Sequence, residues 1–258
     1  MITLYDYRPS QNAYKVRLLL NQLGRPYRTE YVSIFEGEGQ SEAYLMANPM
    51  GAVPAIRLED GTFIAESNAI LTYLAEGSRF LPDDPAARAK VMQWLFFESD
   101  YIQNGAASLR YWALTGKLIS RGAELVGQRT ETALRTLRVL DRELAERPFL
   151  AGQAYTIADI SVFAYMHRAD EAGLPLAQYG NVVAWIQRVM DQPKFVSKGL
   201  SLQHRPAFPG RIVSETKKAA RGGGFLALGP VTGLSLSGSS RSSPPSAWHR
   251  RTAWSYCP

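Results

Sequence analysis

The hydrophobic pattern of this chain changes near residue 77, and this change limits the possible fold more than any other feature. Before that point, short apolar runs typical of strands alternate with stretches of helical spacing. From residue 86 to residue 196, the apolar residues have helical spacing only. We therefore predict an α/β domain over residues 1–77 and an all-helical domain over residues 86–196, joined by the linker GSRFLPDDP.

The first domain is predicted to have the element order β-α-β-α-β-β-α. Gly24 lies where a helix C-cap glycine belongs, and Glu59-Asp60-Gly61 is a hairpin turn signal. This order requires a mixed sheet with helices on both faces. The predicted strands are Ile2–Tyr5, Tyr27–Val32, Val53–Leu58 and Phe63–Ile64, and the predicted helices are Val16–Leu23, Glu42–Met46 and one that runs from Ser67 to Leu74.

The second domain is predicted from amphipathic repeats and one capping signal. Thr156 supplies a hydroxyl at an N-cap position, and Asp159 follows three residues later, which is a variant of the capping box. We assign this pair to folding rather than to chemistry. The predicted helices are Ala86–Asp100, Thr130–Glu146, one that begins at Thr156–Asp159, and Asn181–Met190.

The basic charge of the chain is confined to its last 60 residues. Residues 1–198 hold 21 Lys and Arg against 22 Asp and Glu, whereas residues 199–258 hold 8 basic residues and one acid. The segment 199–258 also contains SGSSRSSPPS and lacks periodic apolar positions, so we predict a disordered basic tail. Two interpretations stand: an arm that contacts nucleic acid or anionic lipid, and an unselected extension. The abrupt change in composition favours the extension, and we expect no nucleic-acid partner.

Cysteine and histidine are too scarce for several kinds of site. The chain has one cysteine, Cys257, and three histidines, which excludes an intramolecular disulfide, a CxxC redox pair and a cysteine-rich zinc site. We therefore expect no metal. No stretch approaches the roughly 20 apolar residues of a membrane span, and the N-terminus lacks a signal-peptide pattern. We expect a cytoplasmic protein without a membrane partner.

Three motifs, in this order and spacing, resemble those of the cytosolic glutathione transferase family. They are Asn48-Pro49-Met50-Gly51-Ala52-Val53-Pro54, Glu66-Ser67-Asn68-Ala69-Ile70, and Thr156-Ile157-Ala158-Asp159. The likeness covers about residues 1–196 and is nearest to a bacterial, serine-type branch, theta/nu-like. It implies a thioredoxin-like first domain, glutathione as cosubstrate, a small-molecule electrophile as second substrate, a homodimer and a role in detoxification.

The resemblance also implies where glutathione binds. In the family the peptide equivalent to Val53-Pro54 is cis and the backbone of the Val53 position pairs with the cysteinyl part of the tripeptide. Glu66 and Ser67, at the start of a helix, correspond to the site of the γ-glutamyl carboxylate. Family members often place Lys, Arg or Gln at the position of Ala52 to hold the glycyl carboxylate. We expect Gln40 to take that role here. The plainer interpretations are an edge-strand proline and a helix N-cap at Ser67.

Ser10 and Asn12 are the candidate catalytic residues implied by the serine-type branch. A donor in the turn after the first strand would stabilise the glutathione thiolate, whereas a free thiol has a pKa of about 8.5. The alternative is that Ser10 or Asn12 caps the first helix. Tyr5 and Tyr7 are the other hydroxyl candidates and fit packing roles better.

The electrophile pocket is predicted from the first long helices of the second domain, with Tyr101, Arg110, Tyr111 and Trp112 facing it. The leading function is addition of glutathione to small hydrophobic electrophiles. Two alternatives stay open: glutathione-dependent reduction of disulfides or peroxides, and a catalytically silent binding protein of the same fold.

Overall fold

The computed structural model describes residues 1–197, and the predicted tail at 199–258 lies outside the described residues. The first part of the chain contains a four-stranded sheet and three helices in the predicted order β-α-β-α-β-β-α. Its strands are β1 (Ile2–Asp6), β2 (Tyr27–Tyr31), β3 (Ala55–Arg57) and β4 (Phe63–Ala65), and its helices are α1 (Gln11–Leu23), α2 (Glu42–Leu45) and α3 (Ser67–Ala75).

The sheet is mixed, with the strand order β2-β1-β3-β4. β1 and β2 are parallel because α1 provides the crossover between them, whereas β3 is antiparallel to both β1 and β4. The predicted C-cap is present, since Gly24 has a φ of 67° and its N–H donates to the carbonyl of Asn21.

The second part of the described chain is helical, which confirms the predicted fold class. One long helical rod replaces the predicted helix at 86–100: it begins as α4, continues as a π-helical segment of ten residues and ends as α5. The elements are α4 (Pro85–Phe97), the π-helical segment (Glu98–Ala107), α5 (Ser108–Leu114), α6 (Ala123–Glu146), α7 (Ile157–Met166) and α8 (Gly180–Met190).

The α7 helix lies at the centre of the helical part, with every residue buried. The predicted capping box is present: the Thr156 hydroxyl accepts from the N–H of Ala158, and the Asp159 carboxylate accepts from the N–H of Thr156. Asp159 also accepts from the N–H of Leu150 and from the indole N–H of Trp185, each at 2.9 Å. One carboxylate thus links the start of α7 to the preceding loop and to α8.

A single hydrophobic core joins the sheet part to the helical part. The α1 and α3 helices pack on α7, and the Tyr155 hydroxyl donates to the side-chain oxygen of Gln22 on α1, 3.2 Å away. This shared core fixes the β1–α1 turn relative to the π-helical segment and α5. The domain boundaries themselves remain sequence predictions.

Candidate functional site

The predicted glutathione-binding and catalytic segments meet at one end of the sheet. Tyr5 pairs with Ala55 across β1 and β3, and Ala55 pairs with Ala65 across β3 and β4. Because neighbouring strands here are antiparallel, the end of β1, the start of β3 and the end of β4 lie side by side. The turn that carries Ser10, the Val53-Pro54 peptide and the start of α3 therefore share one edge.

Ser10 is the N-cap of α1. Its hydroxyl oxygen accepts from the N–H of Ala13 at 3.2 Å, and its own N–H donates to the carbonyl of Tyr7 at 2.7 Å. Arg17 forms an ion pair with Asp6 and donates to the Arg8 carbonyl, so the turn is held on both sides. A hydroxyl that accepts through its lone pairs keeps its hydrogen as a donor, so capping does not consume the donor function of Ser10.

The loop before β3 has a fixed backbone. The Ala52 carbonyl accepts from the Tyr44 hydroxyl at 2.6 Å and from the Asn48 amide at 2.7 Å, and the Asn48 oxygen accepts from the N–H of Met50 at 3.0 Å. The Val53–Pro54 peptide is cis, as the resemblance implied. Sequence analysis did not identify the supporting role of Tyr44 or Asn48, although Asn48 opens the first motif.

Gln40 lies beside this loop. Gly51 has a φ of 65°, and a Cβ atom added there would sit 2.3 Å from Nε2 of Gln40 and 2.5 Å from the carbonyl oxygen of Gly39. The glycine thus allows both the backbone conformation and the close approach of the Gln40 side chain. Gln40 itself is exposed, and the residue it approaches, Gly51, directly precedes Ala52.

The start of α3 combines the electropositive end of a helix with an unusual backbone conformation. Glu66, the residue before α3, has φ 64° and ψ 114° although it is not a glycine, and it makes no side-chain cap. The first N–H groups of a helix have no partner within the helix and form its electropositive end. Strained backbone of this kind occurs at ligand sites. Ser67, 8% exposed, adds a hydroxyl to a position suited to a carboxylate.

A buried ion pair contacts the Ser67 hydroxyl. Lys15 Nζ on α1 lies 2.8 Å from Glu98 Oε2 at the start of the π-helical segment, and the two side chains are 0% and 1% exposed. Lys15 Nζ also donates to the Ser67 hydroxyl at 3.2 Å. Burial lowers the pKa of the Lys15 ammonium, and Glu98 opposes that shift.

Hydrogen bonds extend this pair into a network that includes Asn12. The Asn12 side-chain oxygen accepts from the Ser67 hydroxyl at 3.4 Å and from the Gln103 amide at 3.0 Å. Glu98 accepts from Gln103 at 2.6 Å and from Asn68 at 2.9 Å. Asn12 therefore contacts the start of α3 rather than capping α1. Sequence analysis missed Lys15, Glu98 and Gln103, and the available signal was a lysine among the apolar residues of α1.

A cleft of about 340 Å³ opens next to Ser10, between the β1–α1 turn and α5. Two of the predicted electrophile-pocket residues, Arg110 and Tyr111, line it. Arg110 is paired with Glu171, with 2.7 Å between Nε and Oε2. The other lining residues are Tyr7, Pro9, Gln11, Ile34, Phe35, Ala107, Leu114 and Tyr165.

Tyr101 and Trp112 do not line this cleft. Tyr101 packs on Phe97, with ring centroids 5.1 Å apart, and lines a separate cavity with Arg135 of α6. Trp112 is buried at 8% exposure, with the Arg121 guanidinium 5.2 Å from its ring. Trp112 follows Arg110 and Tyr111 in α5, and successive side chains of a helix point about 100° apart, so the three cannot share one face. Tyr101 lies in the π-helical segment, whose wider turn differs from that of an α-helix. Tyr5 also lies outside this cleft, and its ring contacts those of Tyr44 and Phe63 at tilted angles.

The described part of the chain contains neither a cluster of metal ligands nor a membrane-spanning helix. Within residues 1–197, no three His, Cys, Asp or Glu side chains come together in a group that could hold a metal ion. In the same residues, no helix combines the length and the apolar character needed to cross a bilayer.

Comparisons with known proteins follow the same division of the chain. The family model for the glutathione S-transferase N-terminal domain matches residues 9–76, and the model for the glutathione S-transferase C-terminal domain matches residues 123–188. A glutathione S-transferase structure from Pseudomonas fluorescens is 41% identical with a TM-score of 0.74, covering 76% of this chain and 98% of that one.

Two other relatives are disulfide-bond oxidoreductase YghU of Escherichia coli and YghU of Streptococcus pneumoniae. The first is 30% identical over 204 residues, which cover 70% of this chain and 68% of that protein. The second, a structure with bound glutathione, is 27% identical with a TM-score of 0.65, covering 75% of this chain and 80% of that one.

Proposed function

This chain belongs to the glutathione S-transferase family, and from that premise we propose that it activates the glutathione thiol for attack on small hydrophobic electrophiles. The observation that carries the proposal is the position of Ser10, which caps α1 and also lines the cleft. Its hydroxyl hydrogen and the electropositive end of α1 are thus available at the cleft wall.

The chemistry requires a thiolate, because a thiol is a poor nucleophile and its ordinary pKa is about 8.5. A hydroxyl donor and a helix N-terminus together would lower the thiol pKa by roughly two units, which is about 2.7 kcal/mol in favour of the thiolate. The sulfur then attacks the electrophilic carbon, and its leaving group departs with the bonding electrons. Glutathione supplies the nucleophile, so the protein needs no cysteine of its own.

The tripeptide would extend from α3 to the Gln40 loop. In this pose the γ-glutamyl carboxylate binds the N–H groups of α3 and the Ser67 hydroxyl, and the cysteinyl backbone pairs with Val53. The Gln40 amide, exposed beside Gly51, would donate to the glycyl carboxylate in place of a charged residue at Ala52. Asn12 would act by orienting Ser67 and by offering an N–H group of its side-chain amide.

Substitution of Ser10 tests the proposal. We expect Ser10→Ala to lower kcat/KM with 1-chloro-2,4-dinitrobenzene by about tenfold to a hundredfold at neutral pH, following the loss of one to two pKa units. Asp84→Ala is the matched control, because Asp84 caps α4 by accepting from the N–H of Ala87 at 2.8 Å and lies outside the site. An equal loss of activity in both variants would show that Ser10 acts only as a helix cap and not as a donor to the thiol.

Glutathione-dependent disulfide reduction is the second candidate, favoured by the similarity to the oxidoreductase YghU. The thiolate would attack a disulfide sulfur to give a mixed disulfide and a released thiolate. A second glutathione would then displace the remaining thiol and form oxidised glutathione. Parallel assays with 1-chloro-2,4-dinitrobenzene and hydroxyethyl disulfide rank the two activities. Glutathione binding without turnover of either substrate would favour a silent binding protein.

We also propose a homodimer, as the family resemblance implies, because closed two-fold dimers are the commonest oligomers. Sedimentation equilibrium at micromolar concentration should give twice the chain mass of 28.6 kDa. A mass equal to one chain would contradict this proposal without affecting the chemistry at Ser10.

A further inference from the structure

Gln11 is a buried polar side chain without a hydrogen-bond partner in the described part of the chain. It is the first residue of α1, directly after Ser10, and it is 2% exposed. Within residues 1–197, neither its side-chain nitrogen nor its side-chain oxygen makes a hydrogen bond to another group. Gln11 lines the same cleft as Ser10. Buried polar atoms in folded proteins are nearly always paired, so an amide that is unpaired at both atoms needs an explanation.

The neighbouring wall of the cleft limits what can pair with this amide. Ile34, Ala107 and Leu114 contribute apolar surface, and the Arg110 guanidinium is already engaged by Glu171. A ligand in the cleft therefore meets a largely apolar lining, with the Gln11 amide offering a donor and an acceptor side by side on one wall. A carboxylate would satisfy only the nitrogen of Gln11, whereas a carboxamide satisfies the nitrogen and the oxygen together.

We infer that Gln11 is a specificity-determining residue that selects electrophiles carrying a carboxamide on an apolar body. This inference rests on the proposed function. An example is 4-chloro-3,5-dinitrobenzamide: the thiolate sulfur bonds to the chlorine-bearing carbon and chloride leaves with the bonding electrons. The amide is unchanged and Gln11 holds it through two hydrogen bonds, so Gln11 positions the substrate without taking part in bond exchange.

The test compares this benzamide with its N,N-dimethyl amide, which keeps the acceptor and the reactive ring but has no amide N–H. The wild-type protein should prefer the primary amide in kcat/KM by about tenfold, equivalent to about 1.4 kcal/mol. Gln11→Leu should reduce that preference to near unity, and Gln11→Met provides a second apolar side chain of similar length. Gln22→Leu, a buried glutamine near the other end of α1, should retain the preference.

A wild-type ratio near unity, or a ratio that survives in both Gln11 variants, would overturn the inference. If the Gln11 variants raise the KM for glutathione equally with both electrophiles, the inference is also overturned, because Gln11 would then belong to the glutathione site. Absence of glutathione-dependent turnover with every substrate would remove the proposed function and this inference together. Turnover without amide preference would remove the inference alone.

Discussion

The buried ion pair beneath Ser67 gives the strongest prediction about stability. Lys15 and Glu98 are both almost completely buried, and removal of one member leaves the other charge without its partner. Breaking a buried pair in this way costs about 3–5 kcal/mol, against a total stability of about 5–15 kcal/mol for a folded protein. Lys15→Met and Glu98→Gln should each lower the free energy of unfolding by an amount in that range.

The contacts of the two residues predict how the costs combine. After Lys15→Met, Glu98 still accepts from Asn68 and Gln103, so its charge keeps part of its stabilisation. After Glu98→Gln, Lys15 retains the Ser67 hydroxyl as an acceptor. The double variant removes both charges, so it should be less destabilised than the sum of the single variants by about 2–3 kcal/mol.

Urea denaturation followed by circular dichroism measures all four proteins of this double-mutant cycle, and calorimetry with glutathione measures the link to Ser67. We expect weaker glutathione binding in both single variants, because the orientation of the Ser67 hydroxyl changes. Single variants that each lose less than about 1 kcal/mol, or costs that add without coupling, would refute the assignment of a buried pair that supports the site.

Three further predictions concern the rest of the molecule. Burial raises the pKa of Asp159 to about 6, although four hydrogen bonds to its carboxylate act to lower it. The pKa of an aspartate in the unfolded chain is about 3.9. The stability contribution of this group is therefore full below pH 4 and is lost as the pH rises through 6. The destabilisation by Asp159→Asn, measured in urea, should therefore shrink by about 3 kcal/mol between pH 4 and pH 7, and a constant value would contradict this pKa. Gln40→Ala should raise the KM for glutathione several-fold with little change in kcat, and an unchanged KM would exclude Gln40 as the glycyl partner. Deletion of residues 199–258 should leave activity within about twofold, because the family models match segments within residues 9–188; loss of activity or solubility would mean that the tail is required.

Local patterns were sufficient to predict the order of elements before residue 77 and the start of α7, but not α5 or the start of α6 at Ala123. The alternation of strand and helix signals before residue 77, the glycine at position 24 and the capping pair Thr156 and Asp159 each depend on interactions within a few residues. The meeting of Ser10, Val53 and Ser67 could be anticipated from the family resemblance, and the strand pairing explains it physically.

Local sequence patterns could not predict the contacts between residues that are distant in the chain. Lys15 and Glu98 are 83 positions apart in the numbering, and a single charged residue on an apolar helix face does not reveal its partner. The π-helical segment has no proline or glycine at its start to mark it, so the sequence does not reveal that Tyr101 packs on Phe97 beside a separate cavity. The unpaired state of Gln11 is likewise visible only once its surroundings are packed.

The most direct measurement is the pKa of the glutathione thiol in the binary complex, followed by the ultraviolet absorbance of the thiolate as the pH is raised. We predict a value about two units below the free thiol for the wild-type protein and a shift of at least one unit back toward it in Ser10→Ala. A bound thiol that titrates like free glutathione in both proteins would contradict the account of Ser10 as the group that ionises the nucleophile.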